Sequence, residues 1–129
     1  MTLDACLVDE YTGIVDCYKV GAHVSFVRHK RRTEVIEADS LPMGASASLE
    51  ALPFRSYLEA GDYLVLVTDG VLEYLHVKNP EEKLAEMIKE IKTENAGTFA
   101  EKLMEHVMLF TGGHAPDDMT IVVSGIWEK

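Results

Sequence analysis

A chain of 129 residues with 47% apolar and 26% charged side chains is long enough for one domain with a real core. Its formal charge of −10 and pI near 4.8 exclude a nucleic-acid surface, which needs clustered cations to neutralise phosphates. No apolar run reaches the roughly 18 residues that span a bilayer, no secretory leader follows Met1, and Cys6 and Cys17 are too few for a disulfide framework, so a soluble, cytoplasmic, reduced chain is expected.

Thr2 to Val8 and Ile14 to Val20 read as two strands joined by the turn Glu10-Tyr11-Thr12-Gly13, where Gly13 suits a positive φ. Pairing residues whose numbers sum to 23 sets Asp4 against Lys19, Cys6 against Cys17 and Val8 against Val15 on one face. The other face sets Leu3 against Val20 and Ala5 against Tyr18. One opposite-charge pair and the size-matched pairs support this register. It puts two thiols opposite each other. Two buried, reduced thiols are the reading taken, with a cross-strand disulfide as the alternative.

Val24 to Arg28 and Thr33 to Ala38 form a second hairpin around the basic tip Arg28-His29-Lys30-Arg31-Arg32. The tip reads as a solvated turn rather than an anion or partner site. Leu41 to Ser48 is small and turn-forming, hence a loop. Leu52 to Leu58 is a strand interrupted early by Pro53. The turn Gly61-Asp62 leads into Tyr63 to Thr68, the most apolar strand.

Two helices are predicted next. Asn79 is the N-cap of the first, with Pro80 at its first position, and Leu84, Met87, Ile88 and Ile91 make an apolar stripe. Asn95-Ala96-Gly97 ends it. Thr98 with Glu101 reads as a capping box for the second, whose stripe is Phe99, Leu103, Val107 and Phe110. Met87, Met104 and Met108 are expected in the core. A glycine-rich loop, 112–116, delivers Asp117-Asp118 to a last strand, Met119 to Ile126. Hairpins without a strand–helix alternation predict an α+β fold: antiparallel sheets with two consecutive helices on one outer face, in a single domain over 1–129.

Two places could carry chemistry. Asp69 follows the apolar strand directly, where a carboxylate is poorly solvated unless partnered, and Gly70 lets the backbone turn. Asp117 and Asp118 stand at the mouth of another core strand. Paired carboxylates at the ends of neighbouring strands suit a hard divalent cation such as Mg²⁺ or Mn²⁺. An Asp that only opens a turn, or a charged loop before a strand, is the plainer reading of each. Among His23, His29, His76, His106 and His114 none has metal-ligand spacing. Only His114 lies near the acidic pair, and a surface loop histidine is its plainer reading. The chain has no P-loop, no nucleophile elbow and no thiol-phosphatase signature.

Several segments occur in one order: Thr2-Leu3-Asp4, Asp9 to Gly13, Tyr18 to Ala22, Leu41-Pro42-Met43-Gly44, Ala60-Gly61-Asp62, Thr68-Asp69-Gly70-Val71 with Glu73, and Asp117-Asp118-Met119-Thr120. This set resembles the metal-dependent serine/threonine protein phosphatases of the PPM family, in the branch typified by the sporulation stage II protein E. The resemblance implies two antiparallel sheets with helices outside and two Mn²⁺ or Mg²⁺ ions that activate a water against phosphoserine. By motif, Asp69 and Asp117 correspond to metal ligands, Gly70 and Asp118 to supporting residues, and Gly44 to a loop flanking the site. It further implies a phosphorylated protein substrate of the anti-sigma-factor-antagonist type. The family's other Asp-Gly motif has no match, because Asp69-Gly70 is the only such pair here. The chain therefore reads as the C-terminal half of such a domain, inactive by itself and apt to form a homodimer through the surface the remainder would cover. A non-catalytic half-domain that serves interaction or self-association is the alternative.

Overall fold

The computed structural model describes residues 3–20, 24–30, 32–37, 54–110, 112 and 119–126. Among these, seven strands and three helices follow in the order β1 (Leu3–Val8), β2 (Ile14–Val20), β3 (Val24–Arg28), β4 (Thr33–Glu37), β5 (Phe54–Tyr57), β6 (Tyr63–Val67), α1 (Asp69–Tyr74), α2 (Pro80–Glu90), α3 (Ala96–Phe110) and β7 (Ile121–Gly125). The strands make two antiparallel sheets, one ordered β1-β2-β5 and the other β4-β3-β6-β7. The first hairpin has the expected register throughout, from Leu3 opposite Val20 to Val8 opposite Val15. The reason is local: the 9–14 turn closes with the Asp9 amide donating to the Ile14 carbonyl at 2.9 Å, and turn length sets hairpin register.

Period-two alternation sorts the strand side chains into two cores. Val24, Phe26, Tyr63, Val65 and Val67 point from the four-stranded sheet toward the helices, where they meet Leu84, Ile88, Phe99, Leu103 and Val107. The other faces of β3, β4 and β6 carry Val27, Ile36 and Leu64, which pack on Val15 and Cys17 of the three-stranded sheet. Helices and two sheets thus form three layers. Among the described residues nothing covers the outward side of the three-stranded sheet: Leu7 is 68% and Tyr57 57% exposed.

Two local expectations are corrected. The chain does not turn sharply at Gly70; it enters the short helix α1, a third helix among the described residues, and Gly70 does not use a positive φ. The cap of α3 is Asn95, not Thr98: the Asn95 side-chain oxygen accepts the Thr98 amide at 3.1 Å. That places Thr98 inside the first turn, where its amide is one of the donors needing a partner. Asn79 precedes α2 as expected, yet its side chain makes no capping hydrogen bond.

Candidate functional site

The site begins at the end of β6. Tyr63 to Val67 is buried nearly throughout because β3 and β7 flank it and both cores press on it. The strand stops at Thr68. That residue's amide donates to the Thr120 carbonyl at 3.1 Å, and its hydroxyl accepts the Thr120 amide at 3.0 Å. The hydroxyl is thereby committed to the neighbouring chain segment instead of capping α1, which has no side-chain cap bond. Asp69 follows as the first residue of α1, half-buried, where a negative charge is favoured by the helix dipole. The end of β6 and the head of β7 are thus stitched side by side, with Val67 opposite Ile121. The expected neighbourhood of the two strands is met, since β6 pairs with β7, but β7 is a half-exposed strand rather than a core strand like β6.

Asp117, Asp118, Gly44 and His114 lie outside the described residues, so Asp69 and Gly70 are the predicted site residues whose place is known. Among the described residues no group of three or more His, Cys, Asp and Glu is arranged to hold a metal ion. A hard divalent cation takes six or more oxygen ligands, several of them carboxylates or waters. The described residues therefore supply at most part of a donor set at this end, and no chemical step through a metal follows from them.

A second polar cluster, at the opposite end of β6, was not anticipated. The basic tip is not simply a solvated turn. Arg28 donates to the Ile91 carbonyl at 2.7 Å, at the C-terminus of α2, and stands 5.9 Å from the centre of the Phe99 ring. A guanidinium there answers the negative end of the helix dipole. His29 Nδ1 meets the Asp62 carboxylate at 2.9 Å, and Nε2 lies 3.4 Å from Glu34. Asp62, only 2% exposed, also accepts the Glu59 amide at 2.9 Å. Ser56 of β5 donates to Glu34 of β4 at 3.2 Å. This chain of bonds clasps one sheet to the other. Beside it His29, Lys30, Arg32, Tyr57, Glu59 and Asp62 line a cleft of about 360 Å³. The sequence signals for it were present singly, but 33 positions separate His29 from Asp62. Nearby, burial raises the Tyr63 phenol above its usual range, and its hydroxyl donates to the Thr93 carbonyl at 3.0 Å. Met87 is core and Met108 packs half-buried against that core, as expected, whereas Met104 is half-buried outside it; Met104 and Met108 line an open groove along α3 with Glu101, Glu105 and Leu109.

The chain matches the family described as stage II sporulation protein E (SpoIIE) over residues 1–126. It is 33% identical over 124 residues to the stage II sporulation protein E of Priestia megaterium, covering 95% of this chain and 21% of that protein. It is 32% identical over 123 residues to the protein of that name in Bacillus subtilis strain 168, covering 95% of this chain and 15% of the relative. Among solved structures it resembles the phosphatase domain of the cell fate determinant SpoIIE from Bacillus subtilis, presoaked with Mn. The TM-score is 0.81 at 30% identity, covering 99% of this chain and 57% of that one. The chain thus spans 21% and 15% of these two relatives and somewhat over half of the solved domain. The two antiparallel sheets, the helices on one face and the match over nearly the whole chain lead to one assignment: this protein belongs to the SpoIIE family.

Proposed function

We propose that this chain is the C-terminal portion of a metal-dependent protein serine phosphatase domain. In the whole domain Asp69 and Asp117 each supply a carboxylate oxygen to Mn²⁺ or Mg²⁺, with Asp118, Gly70 and Gly44 supporting the site. The bound ions would supply an activated water and a clamp for phosphoryl oxygens. The observation that carries this reading is the pairing of Thr68 with Thr120, which joins the segments leading to Asp69 and from Asp118. The Mn-presoaked relative supports metal dependence, and its coverage of 57% supports a partial domain. The substrate proposed is a small phosphoserine protein of the anti-sigma-factor-antagonist type.

A test uses the 129-residue chain with Mn²⁺ and a phosphoserine protein. No turnover above the metal-free background is expected, because two carboxylates hold a hard ion loosely. Weak Mn²⁺ binding, read by electron paramagnetic resonance, should fall further in Asp69→Asn. Hydrolysis that Asp69→Asn abolishes would overturn the claim of incompetence. Mn²⁺ binding indifferent to Asp69→Asn would overturn the ligand assignment.

A non-catalytic role in self-association is the second reading. It is favoured by the outer face of the three-stranded sheet, where Leu7 and Tyr57 are exposed among the described residues.

A further inference from the structure

We propose that Cys6 and Cys17 form a reversible redox pair, closing a cross-strand disulfide when the chain meets a small-molecule disulfide. The two residues are directly opposite each other on β1 and β2, and their Sγ atoms lie 2.7 Å apart. The strand chemistry explains the approach. The Asp9 amide donates to the Ile14 carbonyl and the Asp9 carbonyl accepts the Gly13 amide, which closes the turn with a bulge at a hydrogen-bonded position. Bonded and non-bonded positions alternate along an antiparallel ladder, so Leu7 with Asp16 is the next bonded pair and Cys6 with Cys17 falls in the non-bonded position. There opposing Cα atoms come to about 4.5 Å and side chains are closest, within the separation a disulfide spans.

Burial assigns the two roles. Cys6 is half-buried and Cys17 is 2% exposed, so Cys6 is the thiol a solvent oxidant reaches. The Cys6 thiolate attacks one sulfur of the external disulfide, forms a mixed disulfide and releases one thiolate. Cys17, already in contact, then attacks the Cys6 sulfur and expels the second. The sum is two protein thiols plus one disulfide giving one protein disulfide and two small thiols, with both protons leaving on the released thiols. The bond ties down β1, an edge strand whose hydrogen-bonded neighbour is β2.

The test places the folded chain in glutathione buffers of graded oxidation, quenches with an alkylating reagent and reads the intact mass. The expected product is a chain lighter by about 2 Da, unalkylated and reverted by dithiothreitol. Closing so short a loop should raise its melting midpoint by about 5–10 °C. Cys17→Ser should instead accumulate the glutathione adduct on Cys6, and Cys6→Ser should stay unmodified. If Cys17→Ser does not fold, Cys17→Ala serves, and the wild-type mass shift stands alone as a readout. A stable glutathione adduct on the wild type, disulfide-linked interchain dimers that dithiothreitol dissolves, or two thiols still alkylated in fully oxidised glutathione would each overturn the pairing.

Discussion

Gly13 shows how one residue can be dictated by two demands. Its φ is +77°, and a Cβ built there would stand 2.2 Å from the Leu58 carbonyl oxygen. The Gly13 carbonyl in turn accepts the Leu58 amide at 2.7 Å, so the backbones cannot separate without losing that bond. Gly13→Ala is expected to destabilise the fold by roughly 2–4 kcal/mol, read as a lower denaturation midpoint; an unchanged midpoint would show that the turn can shift. The positive φ was legible in the sequence. The contact with Leu58 was not, because it joins the first hairpin to the chain after β5. Asp16 makes a second argument at this scale. Arg55 binds its carboxylate at 2.8 and 3.0 Å and holds its pKa below the ordinary 3.8, first by hydrogen bonding and then by charge. The Tyr11 and Thr12 amides do the same for Asp9. Both pKa values are depressed in the folded state, so the stability they confer is present above 3.8 and lost as pH falls below it. Thermal melts between about pH 5 and pH 2.5 should show that loss, and Asp16→Asn should flatten part of it. Asp9 is exposed and Asp16 is half-buried beside an exposed Arg55, so the effect should also shrink with added salt.

At the scale of elements, the strongly periodic segments behave as written and the ends do not. Leu84, Met87 and Ile88 repeat at helical spacing and α2 buries all three. At its far end the chain leaves the helix at Ile91, which is extended and buried, with Arg28 holding its carbonyl. That tertiary contact moved the boundary ahead of Asn95 and released Asn95 to cap α3. Asn95→Ala should therefore cost about 1 kcal/mol in chemical denaturation, while Thr98→Ala should cost less; the reverse order would restore Thr98 as the cap. The short helix α1 escaped notice because six residues carry too little pattern to distinguish a helical turn from a loop. It also changes how Asp69 is presented, from a strand end to the first turn of a helix.

For the molecule as a whole, the layering is asymmetric. One face of the four-stranded sheet is covered by α2 and α3, and its other face by the three-stranded sheet, which has nothing described beyond it. Val122 of β7 is 52% exposed on the side that faces between the sheets. A sheet buried on one side only leaves apolar side chains in water. Size-exclusion chromatography with light scattering should show concentration-dependent dimers, and the double variant Leu7→Lys, Tyr57→Lys should remain monomeric. A wild-type chain that stays monomeric at high concentration would remove self-association from consideration.

The sequence by itself determined the α+β class, the hairpin register that opposes Cys6 and Cys17, and the apolar stripes of both helices except Phe110, which is 45% exposed. These follow from short-range rules: period two, period 3.6, turn length and the residues a turn tolerates. Only the tertiary structure decided the partners of Arg28, His29 and Asp62, the cap of α3 and the stitching of Thr68 to Thr120. Each of those depends on which segments meet across tens of residues, and hydrogen-bond geometry at such junctions is set by packing that no local pattern encodes.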